Sequence, residues 1–166
     1  MMATQEIFKR YEMKYLLTET QHKLLLESLQ PFVKKDDFDK YTICNIYFDT
    51  DNFRLIRDSI EKPIYKEKFR LRSYGVPKDQ DLVFLELKKK YKGVVYKRRA
   101  TMAHKDAMNY LGPRQKPEQP SQIMKEIDWF MNTNQPVPKV FIAYERCAYS
   151  GLEDSNLRIT FDQNIR

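Results

Sequence analysis

Glycine, cysteine and histidine are scarce: four Gly, two Cys and two His in 166 residues. The shortage of glycine leaves no Walker A loop or Rossmann fingerprint, and neither HExxH nor G-x-S-x-G occurs, so any bound phosphate must be gripped by side chains. Cys44 and Cys147 stand alone, with no second Cys or His at ligand spacing. That excludes a disulfide framework and a zinc cluster and predicts two buried free thiols. His22 and His104 fall at expected helix starts, far apart, and read as surface residues rather than a metal pair. No apolar run approaches the roughly 20 residues that cross a bilayer. The start, MMATQEIFKRYE, carries no apolar stretch of the signal-peptide kind, so the expectation is a cytoplasmic chain. What is abundant is positive charge: 30 Lys and Arg against 23 Asp and Glu, net +7, in a chain that is 42% hydrophobic. This composition describes a folded domain and favours a polyanionic partner.

Residue patterns predict seven strands. Ile7 to Leu17 alternates like a strand, and Thr18 with Gln21 forms a capping box for a helix backed by Leu25, Leu26, Leu29 and Phe32 and ended by Pro31. A strand over Thr42 to Asp49 leads into a helix over Asn52 to Ile60. Tyr65 to Tyr74, Leu82 to Tyr91 and Val94 to Met102 form an antiparallel meander, with a loop at Gly75 and Pro77 and a tight turn around Lys92 and Gly93. His104 to Leu111 is a helix stopped by Gly112 and Pro113. Ser121 caps another, and Val140 to Tyr149 and Asn156 to Asp162 are the last strands. Phe48, Tyr65, Phe69, Trp129, Phe141 and Phe161 lie on apolar faces and are assigned to the core. The class is α+β, a β-rich antiparallel domain, because crossover helices do not separate the strands regularly.

Side chains alternate across a strand, so each segment has two faces. One face of KEKFRLR carries Lys66, Lys68, Arg70 and Arg72, and the other carries Glu67, Phe69 and Leu71. Glu86, Lys88 and Lys90 oppose Val83, Leu85 and Leu87. Lys97 and Arg99 share a face, as do Arg10, Glu12 and Lys14, Tyr144 and Arg146, and Arg158, Thr160 and Asp162. A solvated sheet face alternates in the same way but mixes signs, whereas here Glu12, Glu86 and Asp162 stand among many cations. Cations gathered in a concavity imply a bound polyanion. The few carboxylates have two uses: holding Lys and Arg in place, or coordinating a divalent cation that bridges phosphates. A barrel or tunnel with a polar interior would bring the faces together.

The words RYEMKYLL, NIYFDT, KEKFRLRSYG, LELKKK, YKRR, AYERCAY and LRITFD, in this order across nearly the whole chain, resemble the VTC domain family, the polyphosphate polymerase branch of the triphosphate tunnel metalloenzymes. The resemblance implies one tunnel domain over residues 1–166: an antiparallel β-tunnel with peripheral helices and a basic interior. It implies phosphate contacts at Lys14, Arg70, Arg72, Lys88, Lys97, Tyr144, Arg146 and Arg158, and tunnel carboxylates at Glu12 and Glu86 as possible metal ligands. Lys68, Arg99 and Arg10 share those faces and are further candidate substrate contacts. The implied partners are ATP and inorganic polyphosphate or triphosphate with Mn²⁺ or Mg²⁺, and nucleic acid is disfavoured because it does not account for the embedded Glu residues. The implied activity is transfer of the γ-phosphoryl group to a growing phosphate chain. A polyphosphate-binding or sensor module and a triphosphatase remain alternatives. Related hydrolases open with E-x-E-x-K, and Arg10 in place of the first Glu argues against a two-metal hydrolase. The family's chain continues with a strand bearing a metal-binding Glu in an E-x-K word, so the expectation is a fold incomplete at its C-terminus, with binding retained better than catalysis.

Overall fold

A computed structural model describes residues 12–166 apart from positions 38, 62 and 93. The strands are β1 (Val33–Lys35), β2 (Tyr41–Asp49), β3 (Tyr65–Tyr74), β4 (Leu82–Tyr91), β5 (Val94–Ala103), β6 (Val137–Gly151) and β7 (Arg158–Gln163). The helices are α1 (Glu19–Leu29), α2 (Arg54–Ile60), α3 (His104–Leu111) and α4 (Gln122–Asn134). They make an α+β fold with an antiparallel sheet and peripheral helices. Among the described residues no helix is long and apolar enough to cross a membrane.

The chain gathers into two compact units: Cys44–Ile142, and the described residues of Tyr11–Ile43 with Ala143–Arg166. In the first, the strands follow the order β6–β2–β3–β4–β5. Two hairpins set the register there, Phe69 opposite Leu87 and Leu71 opposite Leu85 across β3 and β4, and Leu85 opposite Ala100 across β4 and β5. Because side chains alternate, this register puts Phe69, Leu71, Val83, Leu85, Leu87 and Ala100 on one face. That face is the core. Met124, Ile127, Phe130 and Met131 of α4 and Ala107 and Tyr110 of α3 are buried in the same cluster. Ser121 caps α4 as its sequence foretells, its Oγ accepting from the Met124 N–H at 3.2 Å. α2 has no such cap of its own. Its entry residue Phe53 sits at φ 58°, and Asp49 at the end of β2 accepts from the N–H groups of Leu55 and Ile56 at 2.9 and 3.0 Å. A carboxylate there also complements the positive end of the helix dipole.

In the second unit β1 and β7 both pair with β6. The capping box of α1 forms as expected: Thr18 Oγ1 accepts from the Gln21 N–H at 3.2 Å, and Gln21 Oε1 accepts from the Thr18 N–H at 2.9 Å. His22 packs against the Phe161 ring, centroids 4.5 Å apart.

Several expectations need correction. Residues 12–17 carry no strand, and the rest of the expected Ile7 to Leu17 strand lies outside the described residues. Alternation marks a chain that can be a strand, but a strand also needs a neighbour for its backbone groups. The seventh strand is instead β1, three residues whose pattern is too short to read. α1 buries none of its residues, so Leu25, Leu26 and Leu29 do not anchor a core. Phe48 and Phe69 are core, but Tyr65, Trp129 and Phe141 are 47%, 61% and 58% exposed. Tyr65 lies on the core face of β3 four residues before Phe69. Cys44 and Cys147 are free but only half-buried.

Phe69→Ala or Leu87→Ala should destabilise the fold by about 2 to 5 kcal/mol, the usual result of emptying a packed site, whereas Tyr65→Ala should cost about 1 kcal/mol or less. Urea denaturation midpoints of the three variants check this.

Candidate functional site

The register that builds the core also builds the opposite face. On that face Lys68, Lys88 and Lys97 form one cross-strand row and Arg70, Glu86 and Arg99 the next. Arg72 follows one step further along β3, opposite Phe84. Rows two residues apart are separated by roughly 6.5 Å along the strands.

Glu86 is the centre of this arrangement. It is only 2% exposed, yet it is charged. Its Oε2 accepts from Arg70 Nε at 2.7 Å and Nη2 at 2.6 Å. Its Oε1 accepts from Lys97 Nζ at 2.7 Å and from Arg99 Nε and Nη2 at 2.8 and 2.5 Å. Arg72 Nε lies 3.9 Å from Oε2. Burial alone would raise the pKa of this carboxyl, but Arg70, Arg72 and Lys97 outweigh it and hold the group well below its ordinary 4.5. Lys97 responds in the other direction. Burial, helped by Arg99 and Arg72, outweighs Glu86 and pushes its ammonium down to about 8.

The arginines have uncharged neighbours as well. Arg70 Nη1 donates to Tyr47 Oη at 2.7 Å, and its guanidinium lies 5.6 Å from that ring's centroid. Arg72 Nε donates to Asn45 Oδ1 at 2.9 Å, while Asn45 Nδ2 donates to the Ile142 carbonyl at 3.2 Å. Arg99 lies 4.6 Å over the Phe84 ring. Asn45, Tyr47 and Asp49 share one face of β2, and none of the three was foreseen as a site residue. The alternation N-x-Y-x-D was the available signal, since it places three polar groups on one side of a strand whose other side carries Ile46 and Phe48.

The second unit organises its charges differently. Arg146 donates to both oxygens of Asp162, Nε at 2.6 Å and Nη2 at 2.8 Å, and stands 5.2 Å over the Tyr144 ring. Burial works against its charge, but Asp162 and Tyr144 outweigh it and raise its pKa above the ordinary guanidinium value. Arg158 Nη2 donates to Asp36 Oδ2 at 2.6 Å, and Ser150 Oγ to Asp36 Oδ1 at 2.8 Å. Lys40 pairs with Glu145 at 2.8 Å. Each of these cations thus has a carboxylate partner. In the first unit Arg70, Arg72, Lys97 and Arg99 all approach one buried carboxylate, Glu86.

Of the residues expected in a site, Lys68, Arg70, Arg72, Glu86, Lys88, Lys97 and Arg99 therefore share one sheet face. Tyr144, Arg146 and Arg158 belong to the second unit. Glu12 and Lys14 form an exposed pair at 3.6 Å, and Arg10 lies outside the described residues. Among the described residues no three His, Cys, Asp or Glu side chains group as metal ligands. Hard divalent cations take six or more oxygens, and both oxygens of Glu86 already accept from cations. The donor set of this face does not by itself fit such an ion.

The observed class is thus an α+β fold with a cation-crowded face on an antiparallel sheet. The VTC domain model matches residues 9–166, and the chain belongs to that family, whose triphosphate-tunnel fold it shares. Membership implies a polyphosphate-related function. A crystal structure from Bacillus halodurans, described as a candidate adenylate cyclase, is similar in fold, with a TM-score of 0.53 and 16% identity over 90% of this chain and 77% of that one. No curated protein matches the chain.

Glu86→Gln should destabilise the fold by about 3 to 5 kcal/mol near neutral pH, because it leaves buried cations without their counter-charge. The carboxyl's folded pKa lies below its unfolded one, so its contribution is complete above about pH 4.5 and is lost as pH falls toward the lowered value. Urea denaturation at several pH values should therefore show a shallower acid loss in the variant than in the wild type.

Proposed function

We propose that this chain binds the triphosphate of ATP or an inorganic polyphosphate on the cationic face of β3, β4 and β5, and that it serves as a polyphosphate polymerase-type domain. The observation that carries the proposal is the four cations gathered on one buried carboxylate. Such crowding costs repulsion energy that an incoming phosphate chain would relieve, and Arg offers paired donors that match phosphate oxygens.

Transfer needs no protein nucleophile. A terminal phosphate oxygen of the acceptor chain attacks the γ-phosphorus in line, forming the new P–O bond. The bond from that phosphorus to the β,γ-bridging oxygen breaks, and ADP leaves with its electron pair. Arg70, Arg72, Lys97 and Arg99 would offset charge on the equatorial oxygens during this exchange. Mg²⁺ or Mn²⁺ enters this proposal as the counter-ion of the phosphate chain. Hydrolysis is less well supported. Water needs a general base, and a carboxylate with a strongly lowered pKa is a weak one. A binding module without turnover is the second reading, supported by a face built of cations and holders for them.

Titration with inorganic tripolyphosphate should show affinity that falls as salt rises, by the screening and counterion release that govern polyanion binding. Arg70→Ala should weaken it about tenfold or more, the value of a hydrogen bond to a charged group. Raising the pH through about 8 should weaken binding as Lys97 loses its proton, and Lys97→Arg should flatten that limb. Equal affinity for single-stranded DNA of matched charge would contradict the proposal. Gel analysis of chains made from ATP then separates the polymerase from the binding module.

A further inference from the structure

We infer that Tyr47 is a positioning residue of this site: its hydroxyl fixes the direction in which Arg70 presents its guanidinium to a phosphate chain. The inference rests on the proposed function and extends it to a strand, β2, that supplies none of the cations.

A guanidinium is a planar fork whose value to a phosphate depends on its orientation. Glu86 Oε2 takes Nε and Nη2 of Arg70 on one side. An acid alone leaves the plane free to tip, because a carboxylate accepts over a broad range of directions. Tyr47 closes that freedom. It accepts from Nη1 at 2.7 Å, the one nitrogen Glu86 does not hold, and its ring centroid stands 5.6 Å from the guanidinium carbon. Arg70 is therefore held at all three nitrogens before any ligand arrives. Organisation in advance raises affinity by reducing what binding must order. Asn45 does the same for Arg72, but it is 1% exposed and tied to the Ile142 carbonyl, so its loss would mix binding with folding. Tyr47 is only half-buried, and Tyr47→Phe keeps the ring while removing the acceptor.

If Tyr47 acts through Arg70 and not on the phosphate itself, calorimetric titration with inorganic tripolyphosphate gives the following results. Tyr47→Phe weakens affinity about fivefold to tenfold, the worth of one hydrogen bond made before binding, with no change in melting temperature beyond about 2 °C. The slope of log affinity against log salt matches the wild type, since no cation is lost. Arg70→Ala reduces that slope by about one. In the Arg70→Ala background, Tyr47→Phe then has less than a twofold effect, which a tyrosine that touched the phosphate directly would not show. A wild-type chain that fails to bind tripolyphosphate overturns the proposed function and the inference together. A wild type that binds, with Tyr47→Phe binding equally well or weakening the Arg70→Ala variant as much as the wild type, overturns the inference alone.

Discussion

One carboxylate with several claimants organises the cationic face. Four basic side chains in one place would repel, and a single buried glutamate would be costly to keep ionised. Each problem offsets the other at Glu86. Because Glu86 sits on the middle strand of the meander, opposite Arg70 on one side and Arg99 on the other, the β3–β4–β5 register is what brings the charges together. A one-residue slip of β3 would turn Arg70 toward the core and Phe69 away from it, and a slip of β5 would do the same to Arg99 and Ala100. The core and the site are therefore one constraint seen from its two faces.

The same logic separates the two units. Arg146 and Arg158 have the fork chemistry that suits phosphate, yet each already has its own carboxylate, and Arg146 is held by both oxygens of Asp162. A phosphate there would meet cations already neutralised by their own carboxylates. At Arg70, Arg72, Lys97 and Arg99 a phosphate chain would meet cations that converge on a single buried carboxylate. Convergence of several cations on one buried carboxylate, more than the number of basic residues, is what makes one group the better candidate. Burial pushes Lys97 toward neutrality despite Glu86, whereas Asp162 and Tyr144 outweigh burial and hold Arg146 more firmly charged.

Much of this was legible in the sequence. Strong alternation over Tyr65–Tyr74 and Leu82–Tyr91 gave strands with those bounds, and the faces of Arg70 and Arg72, of Glu86 and Lys88, and of Lys97 and Arg99 follow from it because period-2 patterns survive any choice of partner. The Thr18 and Ser121 caps were also legible, since a cap is a local interaction. What was not legible depended on neighbours. β1 is too short to show a period. α1 has leucines at helical spacing but buries none of them, and Trp129 is exposed although it looks like a core aromatic. Of the two roles open to Glu86, ion pairing is the one the geometry displays, and only the cross-strand register could show that three strands converge on it. The N-x-Y-x-D alternation places Asn45 and Tyr47 on one face of β2, but that they hold Arg72 and Arg70 follows only from the strand pairing.

The most direct measurement is a crystal structure of this chain with inorganic tripolyphosphate. The account predicts phosphate oxygens within hydrogen-bond distance of Arg70, Arg72, Lys97 and Arg99, on the face of β3, β4 and β5 opposite Phe69 and Leu87. Tripolyphosphate bound elsewhere, with these four side chains making no contact to it, would contradict it.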